Sequence, residues 1–204
     1  MSMYGTIHGI TLDPTPLGLL SALIVLLAMI MECVETWVLQ DWHGGENDQH
    51  WGLFLRTNQY QTDCDTATST TSCGYLKSAQ ASGILFILMG VWTTLVYIPR
   101  VFPNIPVGAN RMLTAGSTGM MQGIFGVLCL VFFSCWKDSR LAQEDRTNIE
   151  YENEKFHSTF MATYYLFVIL TIVVIMQASA AVFMYKNVRR HSKKRDEVDT
   201  FLQN

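Results

Sequence analysis

A chain of 204 residues in which half are apolar and only 15% are charged does not read as a soluble domain, which buries its core through amphipathic stripes. Its apolar residues gather instead into segments that are apolar on every side. A net charge of -3, with no stretch in which basic residues interleave with aromatics, excludes a nucleic-acid partner, because phosphate binding needs a basic face.

In chain order, the first apolar run covers 17–38. A helix rises 1.5 Å per residue, so about 20 predominantly apolar residues cross the hydrocarbon core. Residues 1–16 contain no Lys or Arg, and the run is longer than the apolar part of a cleaved leader, so it is read as a retained span. Glu32 and Glu35 share one face near its outer end. Ionisable groups at membrane depth cost a few kcal/mol each. The helix is therefore expected to rise beyond the lipid there, leaving both carboxylates wet or bonded to the neighbouring loop. Binding a partner's basic group and lining an ion path are the alternatives.

Residues 39–81 form a long first loop. The aromatic and aliphatic runs Trp37-Val38-Leu39 and Trp51-Gly52-Leu53-Phe54-Leu55 flank the turn-rich 43–48 segment, which predicts small antiparallel strands. Such a sheet buries too little surface to stand alone, so it is expected to rest on the helix ends. Asp41, His43, Glu46, Asp48 and His50 offer donor atoms without a metal-ligand spacing, and no metal is expected. Cys64 and Cys73 lie in this polar loop and fit a disulfide-closed excursion over Thr66–Ser72 on the oxidising side of a membrane.

The second span is expected at 82–98, extendable back to Ala79, and the third at 113–136. On the third, Ala115, Gly119 and Gly123 recur at four-residue spacing, with Gly116 and Gly126 alongside. Small residues let helix backbones approach closely in lipid. They are expected to pack inside the chain's own bundle, a groove for a partner helix being the alternative. Gln122 on this span and Gln177 on the fourth, 160–185, are expected to pair across helices. A second loop, 137–159, is acidic.

The tail, 186–204, is basic and then acidic. Its Lys186, Arg189, Arg190, Lys193, Lys194 and Arg195 are expected at the anionic inner leaflet. Lys and Arg favour the cytosolic side, which places this tail, the 99–112 loop with Arg100 and Arg111, and the N-terminus in the cytosol. Both acidic loops then lie outside, with the cysteine pair.

The ordered set Trp37, Gly52-Leu53-Phe54, Cys64 and Cys73 resembles the first-loop signature of the claudin superfamily. Phe54 stands where claudins proper have a second Trp, and Cys64 lies further along. Glu154-Lys155-Phe156-His157-Ser158-Thr159-Phe160 is similar to the fourth-span entry of clarins. The acidic loop before it, with Glu150-Tyr151, is similar in character to that of the calcium-channel gamma subunits. The resemblance implies an all-α membrane protein: a four-transmembrane-helix bundle over 1–185 with a small extracellular antiparallel sheet from the first loop. It further implies a plasma-membrane protein that accompanies a larger channel or receptor laterally and tunes its gating, assembly or trafficking. Claudin-type cell–cell adhesion or a paracellular barrier, which requires self-association into homo-oligomers, is the competing implication. No nucleophile elbow, phosphate loop or other catalytic spacing is present in the sequence, so neither enzyme activity nor a cofactor is expected.

Overall fold

The computed structural model describes residues 6–7, 10–11, 15–32, 39–43, 46–51, 53–56, 59–60, 70–97, 109–147, 157–160 and 162–202. A two-strand hairpin comes first, β1 (Thr6–Ile7) against β2 (Ile10–Thr11). Helix α1 (Thr15–Glu32) follows. It opens on Thr15-Pro16, where proline's fixed φ and missing N–H suit the first turn. Then come β3 (Leu39–His43), β4 (Glu46–Trp51), β5 (Leu55–Arg56) and β6 (Gln59–Tyr60). Helices α2 (Thr70–Tyr97) and α3 (Ala109–Thr147), strand β7 (His157–Phe160) and helix α4 (Ala162–Leu202) complete the order. Helix α2 ends two residues before Pro99, a residue type that disfavours helix in its predecessor.

Three helices hold stretches long and apolar enough to cross a membrane: Cys73–Tyr97, Met112–Ser139 and Ala162–Asn187. The apolar part of α1, Pro16–Glu32, is shorter, and residues 33–38 of the expected first span lie outside the described residues. Each helix outruns its expected span. Helix α2 begins at Thr70 rather than Ser82, so 70–81 is helix, not loop. Helix α3 carries eleven residues of the expected acidic loop, 137–147. Helix α4 takes in most of the tail. Hydropathy marks where a helix meets lipid, whereas helix propensity continues through the charged residues Lys, Arg and Glu beyond it.

The five-stranded antiparallel sheet has the order β6-β5-β4-β3-β7. The β3–β4 register runs from Leu39 opposite Trp51 to His43 opposite Glu46, with an irregularity between Asp41 and Trp42. The turn is therefore tighter than the expected 43–48 segment, since Glu46, Asn47 and Asp48 belong to a strand. Leu39 pairs with Phe160 and Trp42 with His157, so the residues entering α4 supply a strand that the sequence did not suggest.

The chain divides into two compact units. One comprises Met1–Val25, Leu88–Gln122 and Val173–Asn204; the other comprises Leu26–Ile87 and Gly123–Ile172. Each holds a segment of all four helices. In the first, Val96, Tyr97 and Ala115 form a buried cluster with Leu17 against it. In the second, Phe86 and Phe167 stack tilted with centroids 5.1 Å apart, and Phe133 meets Trp136 at 5.0 Å. Phe86, Phe133 and Phe167 have no exposed surface, while Leu19, Met176 and Phe183 are 69%, 66% and 65% exposed. Apolar exposure on this scale along whole helices exceeds what a soluble monomer shows. Lipid is the solvent that removes its cost.

Candidate functional site

Polar side chains inside the apolar helices collect at two places, one in each unit. In the first unit, the Thr93 hydroxyl of α2 lies 2.9 Å from that of Thr118 on α3. The Thr94 hydroxyl lies 3.0 Å from Ser21 on α1. Gln177 of α4 donates from Nε2 to the Leu17 carbonyl at 2.8 Å. Every helix therefore contributes at least one member to a belt of cross-helix hydrogen bonds. Thr93, Thr94 and Thr118 also donate back to the carbonyl four residues earlier, at Met89, Gly90 and Thr114, an arrangement open to Ser and Thr inside helices. Thr93, Tyr97, Ala115, Gly119, Gln122, Val174, Gln177 and Ala178 line a crevice too narrow for a water-sized sphere. Gln122 is buried beside it, and its Nε2 has no hydrogen-bond partner among the described residues. The amide fits only because residue 90 is glycine: a Cβ there would lie 2.6 Å from Gln122 Nε2 and 2.5 Å from Val25 Cγ2.

In the second unit the Ser134 hydroxyl of α3 lies 3.0 Å from the Tyr164 hydroxyl of α4, and a carboxylate is buried at the end of α1. Glu32 is 2% exposed, and its Oε1 finds no hydrogen-bond partner among the described residues. It closes against α2 at Gly83, where a Cβ would stand 3.0 Å from Glu32 Oε1 and 2.8 Å from Leu53 Cδ2. Leu53 is fully buried, and its carbonyl accepts a 3.0 Å hydrogen bond from Gln80 Nε2. This bend between β4 and β5 is thereby seated on α2. Of the two states expected for Glu32, a solvated carboxylate is not found, since it is buried against α2. Its position at the helix end suggested water, but the packing of α2 and Leu53 removes it.

The small residues of the third helix are occupied from within the chain. A Cβ at Gly116 would meet Val182 Cγ2 at 2.6 Å, and one at Gly119 would meet Ala178 Cβ at 3.0 Å. Ala115 is in the first unit's core. In the second unit, a Cβ at Gly126 would lie 2.8 Å from Thr171 Oγ1 and 3.0 Å from Phe86 Cδ2. Gly123 is buried. Gly116, Gly119 and Gly126 thus each face another helix of this chain.

Of the first-loop signature, Leu53 is buried and Phe54 half-buried, whereas Trp37, Gly52 and Cys64 lie outside the described residues, as does Glu35. Cys73, in the first turns of α2, is disulfide-bonded. Cys129 and Cys135 are free, and both Cys33 and Cys64 lie outside the described residues. The Lys186, Arg189 and Arg190 side chains are exposed. Lys193, Lys194 and Arg195 lie on the helical backbone of α4. Among the described residues, no three His, Cys, Asp or Glu side chains are grouped as metal ligands.

Sequence reasoning missed the Ser21, Thr93, Thr94 and Thr118 belt. Its signal was present in the four-residue spacings Thr93–Tyr97 and Thr118–Gln122, which put polar groups on one face of otherwise apolar helices. A scan against protein-family models and a search of curated proteins each return no match.

Proposed function

We propose that this chain is a four-span, non-catalytic plasma-membrane protein of claudin-like architecture that associates laterally with a larger channel or receptor and modulates it. In this reading α1 and the residues after it complete the first span. Both termini are cytosolic. The five-stranded sheet lies on the extracellular side, where Cys64 pairs with Cys73.

The observation that carries the reading is how the polar belt is used. Its hydroxyls and the Gln177 amide bond helix to helix, around a crevice without room for water. That suits a packed structural bundle rather than a solute path. A protein of this kind acts through its surfaces, which are apolar faces in the bilayer and a sheet beside it. Seating of the Gly52-Leu53-Phe54 element on α2 through Leu53 supports the sheet as a fixed platform. The pairing of β3 with β7 ties both loops into it.

Purification of the full chain in mild detergent, followed by mass spectrometry of what accompanies it, tests the function. A channel or receptor recovered at fixed ratio is expected. Recovery of copies of this chain alone would instead favour adhesion. For topology, a tag after Asn204 is expected to label only after permeabilisation. Cys64→Ser is expected to free a Cys73 thiol for alkylation; a thiol that stays blocked would refute the pairing.

A further inference from the structure

Helix α4 does not stop where its lipid-compatible run stops. The apolar stretch ends at Asn187, yet the helix continues unbroken to Leu202. This continuation changes what the basic residues can do. In a helix of 3.6 residues per turn, the spacing of Lys186, Arg189, Arg190, Lys193 and Lys194 puts all five within an arc of about 140°. In a random coil the same residues would share no face. The rise per residue also sorts charge by depth. The five cations lie within about 10 Å of Asn187, comparable to the headgroup layer plus part of a Debye length. The backbone positions of Asp196, Glu197 and Asp199 begin about 14 Å out, less than half a Debye length beyond the last of the five, so the leaflet's potential acts on them more weakly. The charge order of the sequence thus becomes five basic positions on one helical face nearest the membrane, with the acidic positions further out.

Two details favour recognition over mere proximity. The Lys186, Arg189 and Arg190 side chains are exposed at the end of the span. Arg189 Nη1 donates to the Tyr185 hydroxyl at 3.5 Å, which keeps its guanidinium at the border of the apolar run. Neighbouring guanidinium groups suit phosphate oxygens, which they bind in a bidentate manner, and the lysines add point charges alongside.

We propose that this face of α4 is a binding surface for polyanionic phospholipid headgroups, those bearing phosphate monoesters above all. The proposal rests on α4 crossing the bilayer and not on the companion role. It is read on the purified chain alone, so its failure would leave that role untouched.

The test uses the full chain in uncharged detergent micelles, with native mass spectrometry counting bound lipid. The probes are phosphatidylinositol bisphosphate and phosphatidylcholine, with soluble inositol trisphosphate as competitor. The wild-type chain is expected to retain the acidic lipid about tenfold or more over phosphatidylcholine. The triple variant Lys186→Gln, Arg189→Gln, Arg190→Gln should lose that preference, whereas Asp196→Asn with Glu197→Gln and Asp199→Asn should keep it. His191→Pro leaves every Lys and Arg in place but breaks the helix, and should weaken binding severalfold, at a pH of about 8 where His191 is neutral in either case. A triple variant that binds like wild type would overturn the proposal. So would a His191→Pro variant with unchanged binding, which would reduce the effect to charge density. Equal competition by soluble inositol trisphosphate would also overturn it, because the ligand would then be a free phosphate rather than a lipid.

Discussion

The two units hold the same four helices by different means. In the first, helices are joined by hydroxyl and amide contacts: Thr93 with Thr118, Thr94 with Ser21, and Gln177 with the Leu17 carbonyl. In the second, Phe86 of α2 packs on Phe167 of α4, and the Ser134 hydroxyl of α3 lies 3.0 Å from that of Tyr164 on α4. Polar satisfaction differs as well. Among the described residues, the first unit leaves an amide nitrogen without a partner at Gln122, and the second leaves a carboxylate oxygen at Glu32. In a bilayer, association gains nothing from hiding apolar surface from water, so helices adhere by close fit and by hydrogen bonds. Both forces act in each unit, in different proportions. Fit should outweigh hydrogen bonding, because the unfolded-in-membrane state also finds hydrogen-bond partners.

The largest effect should come from breaking the fit. Phe86→Ala empties a fully buried position beside Phe167 and is expected to cost about 3–5 kcal/mol, measured by denaturant titration in mixed micelles. A cost below that of the hydroxyl substitution described last would reverse the ranking. Next is Gly126→Ala, whose new methyl meets the branched Thr171 side chain and the Phe86 ring; overpacking there should cost about 1–3 kcal/mol. Gly74→Ala is its control, since nothing lies within 4 Å of that Cβ position. Thermal midpoints should fall for the first and hold or rise for the second.

Glu32→Gln sharpens the comparison from the other side. Replacing a buried ionisable group that has an unpartnered oxygen by an amide that cannot ionise is expected to raise stability by about 1 kcal/mol or more. A clear loss in the same titration would mean that the carboxylate has a partner that stabilises it. The smallest effect is expected from Thr94→Val, which deletes the contact to Ser21 while nearly conserving volume. About 0.6 kcal/mol is the scale for such bonds between membrane helices. A loss comparable to that of Phe86→Ala would make the polar belt the main source of cohesion.

Length and hydropathy alone located three helices that can cross a bilayer, because crossing depends on the local count of apolar residues and on nothing distant. Strand character was legible only at Leu39, Trp51 and Leu55. Strands β3 and β4 run through residues 40–43 and 46–50, whose largely polar side chains carry little strand signal, and 53–54 is a bend rather than strand. Rotation about each helix axis was not legible. A segment that is apolar on all sides has no stripe to say which side faces protein. Packing alone therefore decided that Gly116 and Gly119 meet α4 and that Glu32 is dry. The same holds for β7, whose His157–Phe160 pairs with residues more than a hundred positions earlier. That pairing leaves no local trace, since a strand's partner is chosen by where the helices bring the chain.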